Sequence, residues 1–108
     1  MRTAHALETW TRGRRHLLPT NDMDEAAADI GVSKEQLSGF FLRYYHTTFY
    51  KWRKELRIAE AKSLLLRNPS MSLSELGEEV GIVNKANMRR QFLEETGMTP
   101  AQWLEDNY

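Results

Sequence analysis

The sequence predicts an all-α fold of seven helices, arranged as two similar subdomains joined by a long linker helix. Three observations carry this reading. Helix-capping pairs recur along the chain, strand signals are almost absent, and one short residue pattern occurs twice at a nearly constant offset. The 108 residues suffice for one domain with a real core, and the 41% apolar content is that of a globular chain rather than a disordered one.

The first helix is expected over residues 3–12, with Ala6, Leu7 and Trp10 on one face and Gly13 as its stop. A turn follows over residues 19–21. Asp22 and Glu25 then make the N-cap and N3 pattern of a second helix reaching Ile30. After Gly31, Ser33 and Gln36 form another capping pair. The helix they open carries Leu37, Phe40, Phe41, Tyr44 and Tyr45 at the spacing of a single apolar stripe. Thr48 caps a long fourth helix with Phe49, Trp52, Leu56, Leu64 and Leu65 among its apolar positions, and Asn68-Pro69 ends it. Ser72 and Glu75 form a capping box for a fifth helix that Gly81 breaks. A sixth runs from Lys85 to Thr96 with Met88 and Phe92 one turn apart, and Gly97 stops it. Thr99-Pro100 starts the seventh, with proline at the first helical position where its missing N–H costs nothing.

The repeat is specific. Ala27-x-x-Ile30-Gly31-Val32 matches Gly77-x-x-Val80-Gly81-Ile82 at an offset of 50 residues. Phe41-Leu42, Thr48 and Trp52 match Phe92-Leu93, Thr99 and Trp103 at an offset of 51. Each copy reads as short helix, sharp glycine turn, longer helix. A small residue lies four positions before the glycine, where a branched side chain is expected to collide with the second helix. This is the packing pattern of a helix-turn-helix. Two copies are too few for a solenoid. The expected boundaries are residues 1–46 for the first helix-turn-helix subdomain, 47–68 for the linker helix and 69–108 for the second.

Composition excludes several classes. Without cysteine there is no disulfide framework and no thiolate zinc site. No stretch approaches the roughly 20 apolar residues of a membrane span, and the opening MRTAHALETW lacks the apolar core of a signal peptide. The expected location is cytoplasmic, with no membrane contact by this segment. His5, His16 and His46 stand far apart, and no HExxH, phosphate loop or nucleophile elbow is present, so neither enzyme, metal nor cofactor is expected. Fifteen basic residues balance fifteen acidic ones. A nucleic-acid binder with zero net charge must segregate its charges by face, and its affinity should fall readily with salt.

Within this frame the chain resembles the C-terminal DNA-binding domain of AraC/XylS-type transcription regulators over residues 22–103. The segment WRKELRIAEAKSLL at 52–65 is similar to the family's linker helix. LSELGEEVGI at 73–82, then Arg90, Phe92 and Gly97-Met98-Thr99-Pro100-x-x-Trp103, is similar to its second-unit signature. The resemblance implies that the helices starting near Ser33 and Lys85 each enter a major groove, about 34 Å apart. It assigns base-facing positions to Glu35, Ser38 and Gly39 in the first unit and to Lys85, Ala86, Arg89 and Arg90 in the second. Gly39 stands where the family commonly has Arg, His46 replaces a turn glycine, and Leu93 replaces a common Lys. The second unit is therefore expected to carry most recognition.

Arg89 is favoured as a base reader, since a guanidinium can donate two hydrogen bonds to guanine O6 and N7. Arg90, about 100° around the helix, has two readings, a base contact or an internal salt bridge. Ser33 and Asn84 are expected N-caps and candidates for phosphate contact. Arg57 reads as a structural partner of an acidic residue, Arg12, Arg14 and Arg15 as a solvated loop, and Trp10, Trp52 and Trp103 as core anchors. The implied function is sequence-specific binding of double-stranded DNA as the output domain of a bacterial regulator, with activation favoured. RNA polymerase and an N-terminal sensor region are the implied partners. The competing reading is a protein-interaction module that kept the fold but weakened its DNA readout.

Overall fold

Side chains that close their own helix starts set the element order in the computed structural model, which describes residues 2–19 and 22–108. The turn expected over residues 19–21 falls in part outside the described residues. Among those described, the helices are α1 (Arg2–Arg12), α2 (Met23–Ile30), α3 (Lys34–Phe40), α4 (Phe49–Arg67), α5 (Leu73–Val80), α6 (Lys85–Thr96) and α7 (Pro100–Asn107), with no strand. The Asp22 carboxylate accepts from the Glu25 N–H at 2.8 Å. Ser33 with Gln36, Ser72 with Glu75 and Thr99 with Gln102 form reciprocal capping boxes. Each cap satisfies backbone donors that have no partner within the helix.

The chain divides into two compact units, Met1–Arg53 and Lys54–Tyr108, the division falling within α4. In the first, Leu7, Trp10, Ala26, Ala27, Leu37, Phe40, Phe41 and Phe49 form a buried cluster, with Trp52 packed at its margin. Burial of each large side chain contributes about 1.5–3 kcal/mol. The Trp10 indole N–H donates to Asp29 Oδ2 at 2.8 Å, and Arg15 pairs with the same carboxylate. Arg15 holds the Asp29 carboxyl below its usual range, chiefly by hydrogen bonding. A buried indole needs an acceptor, and Asp29 on α2 supplies one, so α1 is fastened to the first helix-turn-helix.

The aromatic stripe after Ser33 behaves differently from its expected single helix. α3 ends at Phe40 and the chain continues as a π-helical turn, Phe41–Tyr45. The wider winding rotates later residues relative to α-helical spacing. Phe41 is fully buried, while Tyr44 and Tyr45 stay about half exposed. Both tyrosine rings still pack on Phe40, with centroids 5.2 and 5.4 Å away. The turn ends at His46 in the left-handed region (φ 54°), where Gly97 serves the matching position in the second unit (φ 78°).

In the second unit Ile58, Ala61, Leu65, Leu76, Val80, Ile82, Met88 and Phe92 are buried. Trp103 of α7 meets Phe92 edge to face at 5.9 Å and lies under the Lys62 ammonium. Lys54 on α4 pairs with Glu95 on α6 at 3.4 Å in a largely shielded position. Gly31 and Gly81 make the sharp turns with φ of 94° and 81°. The small residue before the second turn is required, but not by the expected collision with the second helix. A Cβ on Gly77 would stand 2.2 Å from the Ile82 carbonyl oxygen, which belongs to the turn itself. The Ile82 N–H donates to the Gly77 carbonyl at 2.8 Å, so the chain folds back directly over that residue.

Candidate nucleic-acid interface

The second helices of the two units present different chemistry. On α6, Asn84 caps the helix by accepting from the Ala86 and Asn87 N–H groups at 2.8 and 3.1 Å. Lys85, Ala86 and Arg89 are exposed and line one groove with Ser72, Leu73 and Ser74 at the start of α5. Among the described residues neither Lys85 nor Arg89 forms an ion pair. Arg90 does: its guanidinium donates to Glu94 at 3.0 Å and to Asn87 at 3.1 Å along its own helix. Arg90 thus forms an exposed salt bridge within its own helix, while Arg89 is disengaged.

On α3, Ser33 accepts from the Gln36 N–H at 3.0 Å while its own N–H donates back to the Gln36 side chain at 2.8 Å. Glu35 and Gly39 are exposed and Ser38 is half-buried. Glu35 and Gly39 share a shallow groove with Gln36, Phe40, Arg43 and Tyr44. A Cβ on Gly39 would meet nothing within 4 Å, so packing does not demand glycine there. Lys34 leans to Asp24 on α2, 3.9 Å away.

The remaining basic residues are engaged elsewhere. Arg57 is only 6% exposed, consistent with a structural part. Arg12 pairs with Glu8 and Arg15 with Asp29, which removes two of the three loop arginines from easy service to a phosphate. Sequence reasoning missed Ser72 and Ser74 as groove residues. The signal was available, because Ser-x-Ser opens the helix preceding the second turn, but only Ser72 was read, and only as a cap. It also missed Arg53, which packs over the Phe49 and Tyr50 rings at 5.2 and 5.3 Å and whose guanidinium pKa is lowered by burial.

A helix-turn-helix domain family model matches residues 26–106, most of the chain and both units. The chain belongs to the AraC-type helix-turn-helix family. GbdR, a transcriptional regulator of Pseudomonas aeruginosa, is 32% identical over 79 residues, covering 73% of this chain and 21% of GbdR. The arabinose operon regulatory protein of Escherichia coli is 30% identical over 89 residues, covering 82% of this chain and 30% of that protein. The AraC-type domain thus spans less than a third of either relative. In fold it is similar to the C-terminal domain of the response regulator AraT from Geobacillus stearothermophilus, with a TM-score of 0.85 at 19% identity over 97% of this chain and 84% of that one. A transcriptional regulator from Chromobacterium violaceum, described as containing an AraC-type DNA-binding domain, gives 0.78 at 23% identity over 97% and 90%. No helix among the described residues of this AraC-type domain is long and apolar enough to cross a membrane.

Proposed function

We propose that this AraC-type domain binds double-stranded DNA with sequence preference, as the output part of a longer cytoplasmic regulator, and that α6 is its main reader. The observation that carries this reading is the α6 groove. Lys85 and Arg89 stand free of internal carboxylates beside Ser72 and Ser74, while the adjacent Arg90 is tied down. Arg89 can present two parallel donors to guanine O6 and N7, and Ala86 offers an apolar contact for a thymine methyl. Lys85, in the first turn, suits a guanine edge or a phosphate. Ser33 and Asn84 spend their oxygens on capping, so any phosphate contact from them comes through the remaining hydroxyl or amide hydrogens. Transcription activation, contact with RNA polymerase and control by an N-terminal sensor are further parts of this proposal, drawn from the family resemblance of the sequence.

Titration of duplexes at two salt concentrations tests the reading. Arg89→Ala should weaken binding to the preferred duplex by roughly 1–3 kcal/mol and relax preference at one base pair. Arg90→Ala should cost less, since it removes an intrahelical pair. Equal binding of wild type and Arg89→Ala to every sequence would instead mark a protein-interaction module that has lost readout.

A further inference from the structure

We infer that Glu35 on α3 is a specificity residue that selects cytosine; this rests on the DNA-binding reading above. The starting point is an acidic side chain kept without a cation where one would be expected. Four residues on from a helical carboxylate is the position from which Lys or Arg pairs with it. Here that position is Gly39, with open space where a side chain would be. The neighbouring Lys34 is drawn to Asp24 at 3.9 Å, and Arg43, a further turn along, lies against the Tyr44 ring at 6.0 Å. Among the described residues Glu35 has no hydrogen-bond or ion-pair partner. The second unit does the reverse on its own second helix, where Arg90 and Glu94 neutralise each other at the same spacing.

An ionised carboxylate only accepts hydrogen bonds. In the major groove, guanine offers two acceptors and thymine an acceptor and a methyl, so both repel it. Adenine offers a donor at N6 beside an acceptor at N7. Cytosine offers its N4 donor with no neighbouring acceptor, and is the edge that fits. The bare Gly39 matters twice: it leaves Glu35 unneutralised, and it removes bulk from the surface that would approach the bases. Because phosphates repel the same carboxylate, Glu35 should add preference without adding general affinity.

The test is selection of duplexes from a randomised pool by the 108-residue chain, followed by titration of the enriched duplex and its three single-base variants at each position. Wild type should favour cytosine over guanine or thymine at one position by about five- to tenfold. Glu35→Ala should abolish that preference while leaving binding to unrelated duplex equal or tighter. Glu35→Gln should move it toward adenine, whose N6 and N7 match an amide. Gly39→Arg should erase it by pairing with the carboxylate. An enriched sequence that depends on Arg89 but is unchanged in Glu35→Ala overturns the assignment and leaves the DNA reading intact. A wild-type chain that enriches no sequence overturns both.

Discussion

The two units solve the same packing problem and present different side chains on the exposed faces of their second helices. Each has a capped short helix, a left-handed glycine turn and a second helix whose inner face is buried: Leu37, Phe40 and Phe41 in one, Met88 and Phe92 in the other. Outside, α3 shows Glu35, Ser38 and a bare Gly39, whereas α6 shows Lys85, Ala86 and Arg89. The difference lies in those exposed faces and not in the totals of the units, since residues 1–53 carry two more basic than acidic residues and residues 54–108 two fewer. Repeated cores do not imply repeated surfaces: the buried positions of the two copies match in character and the exposed ones do not.

Substitutions at matching positions sharpen that contrast. The largest effect is expected at the turn, where Gly77→Ala forces a Cβ against the Ile82 carbonyl and should cost about 2–3 kcal/mol in denaturant unfolding. Its counterpart Ala27 already carries a Cβ, so Ala27→Gly should cost less, as a lost methyl and a more flexible chain. If Gly77→Ala proved neutral, the tight return of the chain over that residue would be wrong. Next come the helix ends. Gly97→Ala should lose about 1–2 kcal/mol, because the space around it is open and only its left-handed backbone resists a side chain. His46→Gly should gain about 0.5–1 kcal/mol by relieving the same strain. A thermal melt of each variant checks the opposite signs.

The smallest effect is expected in acid. Asp29 is held below the ordinary aspartate pKa of about 3.9, so its pairing stabilises the fold fully above that pH. That contribution disappears as pH falls through the lowered folded-state value. Asp29→Asn should therefore flatten the acid limb of the stability profile of the first unit. A variant whose acid limb matches wild type would show that the Trp10–Asp29–Arg15 tie contributes little.

What could be read in advance was local. Asp22, Ser33, Ser72, Asn84 and Thr99 announced helix starts because each cap bonds an N–H two or three residues away, a relation visible in the sequence. The buried Trp10, Phe41, Phe49 and Phe92 followed from periodicity. Relations across distance were not visible. Trp10 with Asp29 and Lys54 with Glu95 depend on how helices meet, and neither pair has a spacing rule. The π turn escaped because Phe41–Tyr45 has good α-helical spacing, and no residue in the segment marks the wider winding. At the candidate site, the positions came from resemblance. The structure added that Arg90 takes the carboxylate four residues on, one of the two readings its spacing left open, while Arg89 is disengaged.

The turn bonds have one more consequence, for the speed of assembly. Val32 N–H reaches back to Ala27 and Ile82 N–H to Gly77, and the capping bonds are shorter-range still. Forming them closes only very short loops, so little chain entropy is lost before stabilising contacts appear. Helical chains dominated by such neighbours refold in roughly microseconds to milliseconds.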